Sequence, residues 1–131
     1  MFDLGISLDG GLVDMARIAR VLAEAGINID AVRCTSFAPP ATCHFLVEHG
    51  ENASAVLSAA GINSVNCRPV LVYTLPNRPG TLAHYTQALL SSGVAIDFLY
   101  QATAKGMVVG AADLDGVRSA FSAAAAAVLS Y

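Results

Sequence analysis

Ala25-Gly26-Ile27-Asn28-Ile29-Asp30 and Ser92-Gly93-Val94-Ala95-Ile96-Asp97 decide the fold, because the second segment repeats the pattern of the first about 67 residues later. Each closes an apolar series at helical spacing: Met15, Ile18, Leu22 and Ala25 in the first copy, Leu82, Tyr85 and Leu89 in the second. Each helix stops at a glycine, Gly26 or Gly93, which takes the left-handed cap conformation without strain. Alternating runs at residues 2–8 and 70–75 precede the helices and read as strands. Further strands at 28–37 and 95–103 follow them. The turns Ala38-Pro39-Pro40 and Ala104-Lys105-Gly106 then lead into third strands at 42–49 and 107–112, making antiparallel hairpins.

A second helix ends each copy. Asn52 is placed to cap one over residues 53–60, stopped by Gly61, and Asp113 or Asp115 to cap one over 117–129. Residues 123–127 are all alanine, the strongest helix former. A strand at 62–68 completes the first copy, whereas the second has no residues left for its counterpart. The sequence therefore predicts an α+β fold of two tandem ferredoxin-like βαββαβ modules, residues 1–68 and 69–131. Each is an antiparallel sheet with both helices on one face, the second lacking its last strand. A partner strand or the 62–75 connection is expected to cover the edge left open.

Composition narrows the function. Of 131 residues, 55% are hydrophobic and 13% charged, which predicts a folded chain with apolar surface left over for an interface. A net charge of -3 offers no basic footprint for nucleic acid or anionic lipid. No apolar run approaches the roughly 20 residues of a membrane span, and the N-terminus lacks the pattern of a signal peptide. Three cysteines, Cys34, Cys43 and Cys67, form no dense framework. The expectation is reduced thiols and a cytoplasmic protein.

The loop before the second copy's first helix reads Leu75-Pro76-Asn77-Arg78-Pro79-Gly80-Thr81-Leu82. With its preceding strand and the Gly93-Val94-Ala95-Ile96-Asp97 exit, it resembles an ACT domain. The Asn-Arg-Pro-Gly wording is similar to that of the serine-binding regulatory domain of phosphoglycerate dehydrogenase, as is the hairpin from Gln101 to Val109. The likeness covers residues 70–121 well and the first copy more loosely, where the loop is Asp9-Gly10-Gly11-Leu12-Val13-Asp14. It implies two ACT modules that hold a free amino acid between one module's loop and the neighbouring module's strand, with Asn28, Asp30, Ala95 and Asp97 near the far wall. Serine-binding relatives commonly carry a histidine two residues before the Asn. Leu75 stands there, which argues against serine and leaves room for a more apolar amino acid.

The physical reading runs parallel. A helix start presents free N–H groups at the positive end of its dipole, a place for a carboxylate. The amides of Gly80, Thr81 and Leu82 are placed to receive it, Pro76 and Pro79 stiffen the loop, and Asn77 offers both donor and acceptor. Arg78 either steers the carboxylate or is simply solvated. A Pro-Gly bend before a helix is also ordinary punctuation, with Thr81 or Asn77 as no more than a cap. At Gly10 and Gly11 the structural reading is the stronger one.

Other constellations are weaker. Cys34 and Cys43 face each other if the hairpin turns at Pro39-Pro40, but they share a strand face with Val32, Phe45 and Val47, so packing as small core side chains is expected rather than a bond. His44 and His49 point to opposite faces and cannot grip one metal ion, and His84 reads as solvated or at a module interface. No nucleophile elbow, phosphate loop or dinucleotide fingerprint occurs. The sequence thus predicts a regulatory amino-acid-binding protein, not an enzyme, with no cofactor or metal. Its expected partners are a second copy of itself and a catalytic enzyme. The alternatives are a structural dimerisation module or the regulatory small subunit of an amino-acid biosynthetic enzyme.

Overall fold

In the computed structural model, which describes residues 1–103 and 106–127, each copy of the repeat builds its own antiparallel sheet. The Ala104-Lys105 turn and the expected helix end at residues 128–129 lie outside the described residues. The chain divides into two units, Met1–Pro69 and the part from Val70 onward.

The first unit runs β1 (Phe2–Ser7), α1 (Leu12–Glu24), β2 (Ala31–Cys34), β3 (Thr42–Val47), α2 (Gly50–Ala59) and β4 (Val65–Pro69). Its four strands lie in the order β2-β3-β1-β4, every neighbour antiparallel. Strand alternation sends Leu4 and Ile6 of β1 and Cys43, Phe45 and Val47 of β3 into one core, where Ile18 and Leu22 of α1 and Ala53 and Leu57 of α2 meet them. Truncating one such leucine to alanine costs about 2–5 kcal/mol, so this pattern pins the register.

The second unit runs β5 (Leu71–Thr74), α3 (Thr81–Ser92), β6 (Phe98–Gln101), β7 (Gly106–Gly110) and α4 (Leu114–Ala126). Among the described residues its sheet is β5-β7-β6, the same order without the last strand, as the sequence predicts. Val109, Leu89, Val117 and Phe121 form the core, with the Tyr73 ring stacked on Phe121 at 4.2 Å. The duplication extends to single bonds. Asp30 N–H donates to Leu46 O and Asp97 N–H to Gly110 O, each at 2.8 Å, just before the second strand of its unit.

Several details differ from the sequence reading. Strands β2 and β6 are shorter than expected at both ends, pairing from the bonds made by Asp30 N–H and Asp97 N–H and stopping at Cys34 and Gln101. Helix α2 starts at Gly50 rather than at Ala53. A Cβ at Gly50 would lie 2.6 Å from the Phe2 Cβ and 2.7 Å from the Cys67 Sγ, so only glycine lets the helix begin this close to the sheet. His84 is not solvated, since its Nε2 donates to the Ala124 carbonyl at 2.6 Å and joins α3 to α4. Cys34 and Cys43 are directly opposed on β2 and β3, 4.6 Å apart at Cα, and form a disulfide, leaving Cys67 as the free thiol. The expectation of three thiols fails here, because facing positions at this separation bring the side chains together whether or not the face is a core. Of the two caps expected for α4, Asp113 is the one used, its Oδ1 accepting from Gly116 N–H at 2.9 Å, and the helix begins at Leu114 rather than at Val117.

Candidate functional site

The loop from Leu75 to Gly80 is two tight turns set end to end. Arg78 N–H donates to Pro76 O at 3.1 Å, and Thr81 N–H donates to Arg78 O at 3.3 Å. Gly80 then takes the left-handed conformation (φ 90°, ψ -15°) that turns the chain into α3. Thr81 N–H is thereby spent inside the loop, which removes it from the set of amides expected to receive a carboxylate. The first helical hydrogen bond is His84 N–H to Gly80 O at 2.9 Å, and no side chain caps α3. The first-turn amides of Leu82 and Ala83 therefore have no helix carbonyl to bond.

Beside this helix start lies a cavity of about 110 Å³. Asn77, Arg78, Thr81 and Leu82 border it from the loop and helix, while Leu75 and Met107 supply apolar wall. Gln101 closes it from β6, paired in register with Met107 of β7. Thr81 is only 5% exposed, and its Oγ1 is buried without a hydrogen-bond partner. An orphaned buried hydroxyl costs about 1–3 kcal/mol, and this one belongs to a residue that lines the cavity.

The corresponding loop of the first unit is tied to its helix by an acid of its own. Gly10 N–H donates to Asp14 Oδ2 at 2.6 Å, which puts a carboxylate in the first turn of α1 although no side chain caps that helix. A cavity of about 130 Å³ nearby is bordered by Asp9, Asp14, Arg17 and Asn63, and the Arg17 guanidinium donates to the Ala60 carbonyl. Gly11 is the N-cap of α1, with φ 64°.

Of the residues singled out from sequence, Asn77, Arg78, Thr81 and Leu82 come together at one cavity, and Pro79 and Gly80 shape the bend beside it. Ala95 and Asp97 lie past the far end of α3, about 18 Å along a helix of 12 residues at 1.5 Å each. In the first unit the Asn28 amide donates to Asp30 Oδ1 at 2.7 Å. Sequence reasoning missed Gln101 and Met107. The period-two alternation of the β6–β7 hairpin was the available signal, since it puts both on the β5 face that carries Leu75. The histidines form no shared site: His44 Nδ1 lies 2.9 Å from Oδ2 of the buried Asp3, and His49 precedes α2. Among the described residues, no group of three His, Cys, Asp or Glu side chains is placed to hold a metal ion, and no helix is long and apolar enough to cross a membrane.

No protein-family model matches the chain, and no curated protein matches it in sequence. Solved structures do match in fold. A protein from Bacteroides thetaiotaomicron superposes with a TM-score of 0.77 at 22% identity, over 93% of this chain and 85% of that one. The ligand-free regulatory subunit of aspartate kinase from Thermus thermophilus matches with a TM-score of 0.66 at 24% identity, over 94% and 91% of the two chains. A structure of aspartokinase alpha and beta subunits gives 0.68 at 16% identity, over 94% and 90%. The fold is ACT-like, in tandem. At these identities the similarity establishes architecture, and the reading of the site rests on its own geometry.

Proposed function

We propose that this chain is a regulatory protein, not an enzyme, that binds a small free amino acid at the loop before α3, and that binding biases its association with a second copy or a catalytic partner. The observation that carries this reading is the unpartnered Thr81 Oγ1, buried at an uncapped helix start beside a cavity. The ligand's carboxylate would accept from the amides of Leu82 and Ala83 and from the Thr81 hydroxyl. Its ammonium would donate to the amide oxygen of Asn77 or Gln101. A cavity of about 110 Å³ lies well below the ~300–1,000 Å³ of drug-sized sites, which favours a ligand of few heavy atoms. The fold shared with proteins described as regulatory subunits of aspartate kinase supports a partner enzyme of amino-acid metabolism. Coupling follows if the ligand contacts one assembly state more than another.

The test is a melting screen against the twenty amino acids, on the wild-type chain and on Thr81→Val. A ligand at 100 times its Kd adds about 2.7 kcal/mol of stability. Thr81→Val keeps the shape and removes the orphan, so the free protein is expected to be as stable as wild type or more so, while the ligand-induced shift shrinks. Flat melting curves across the panel would sink the reading.

A further inference from the structure

The cavity at the second loop carries a charge that a neutral zwitterion leaves unmatched. Among the described residues that line it there is one cation, Arg78, and no carboxylate, and the start of α3 adds the positive end of a helix dipole. The two side chains suited to an ammonium, Asn77 and Gln101, are uncharged. A zwitterion seated as proposed would put its α-carboxylate on the Leu82 and Ala83 amides and the Thr81 hydroxyl. The Arg78 guanidinium would then have no anion to match it. Arg78 is rooted in the turn that ends on Thr81, its carbonyl accepting the Thr81 amide at 3.3 Å, and both residues border the same small cavity. A guanidinium fork takes a carboxylate through two parallel bonds, which an amide isostere cannot reproduce.

The repeat supplies an independent indication. In the first unit the chain carries a carboxylate of its own in the first turn of α1, Asp14, bonded at 2.6 Å to the Gly10 nitrogen of the preceding loop. The second unit has no acid in its first helical turn. Leu75 and Met107 favour an apolar ligand, but they form part of the wall only, and Arg78 and Gln101 stand elsewhere on it.

We infer that the loop before α3 selects a short amino acid bearing a second carboxylate, whose two acid groups engage the helix start and the Arg78 guanidinium. This rests on the amino-acid-binding reading above and narrows it to a ligand of net negative charge.

The experiment measures affinities of the full chain for L-aspartate, L-asparagine, succinate and inorganic phosphate by calorimetry at low and high salt. L-aspartate is expected to bind about fivefold tighter than L-asparagine at low salt, the upper end for a solvent-exposed pair, with the ratio shrinking as salt rises. Arg78→Gln should bring that ratio to about one, weakening L-aspartate more than L-asparagine. Arg78 is exposed, so the variant is expected to fold, and its melting curve checks this. Equal or tighter binding of L-asparagine to wild type overturns the inference, as does a preference that survives in Arg78→Gln. Succinate or phosphate matching L-aspartate overturns it too, since the site would then be a plain anion hole. If neutral amino acids bind and L-aspartate does not, this inference fails alone. If no amino acid binds, the amino-acid reading fails with it.

Discussion

The carboxylate of Asp14 reaches back four residues to accept the amide of Gly10 at 2.6 Å, closing the first loop over the start of its own helix. The second unit has no acid in the first turn of its helix, while in neither unit does a side chain cap the first-turn amides. Asp14→Asn weakens a charge-assisted bond and removes a charge that complements the α1 dipole. A loss of about 1 kcal/mol is expected, read as a lower urea midpoint at unchanged slope. The Gly10 amide signal in NMR should also move upfield in the variant. A Gly10 signal that does not change would mean that the bond is absent in solution.

The disulfide between Cys34 and Cys43 clips the ends of the β2–β3 connection across nine positions of sequence. Loop-closure entropy for a ring of that size gives about 2.5 kcal/mol. Reductant is expected to lower the melting temperature of wild type. The double variant Cys34→Ala, Cys43→Ala should melt at the lower value with or without reductant. Thiol titration of the denatured, unreduced protein should find one free group, Cys67. Three reactive thiols per chain would contradict the pairing.

The parts of this fold that were legible in the sequence are those set by local periodicity. The spacing of Met15, Ile18 and Leu22, the glycine stops at Gly26 and Gly93, and the alternation through Leu4 and Ile6 are each decided within one helix or strand, and the structure follows them. What sequence did not disclose depends on distances between elements. The early start of α2 at Gly50 exists because Phe2 and Cys67 crowd that position from two other strands. Choosing between a bond and mere packing for Cys34 and Cys43 needs the strand register and a Cα separation. The loop residues Asn77, Arg78 and Thr81 could be named from their wording, but the orphaned hydroxyl could not. Its burial follows from the fold as built around the helix start, and Gln101 and Met107 arrive there through hairpin pairing some twenty residues away.

Tyr73 gives the second unit a reporter of its packing. Its ring stacks on Phe121 at 4.2 Å, and burial raises its phenol above the ordinary value of 10.0, an effect that the nearby Arg118 partly offsets. In the unfolded chain the phenol ionises near pH 10, whereas in the folded chain it holds its proton to higher pH. Above about pH 10 the unfolded state therefore binds fewer protons than the folded one. The sign then favours unfolding: stability falls as pH rises through that window and levels off once the folded phenol has also ionised. Tyr73→Phe keeps the ring and removes the titration. Wild type is thus expected to lose more stability than Tyr73→Phe between about pH 9 and pH 11. A spectrophotometric titration should show one late-ionising phenol in wild type that the variant lacks. Equal alkaline slopes for the two proteins would mean that the phenol is solvated, and that β5 and α4 do not pack as described.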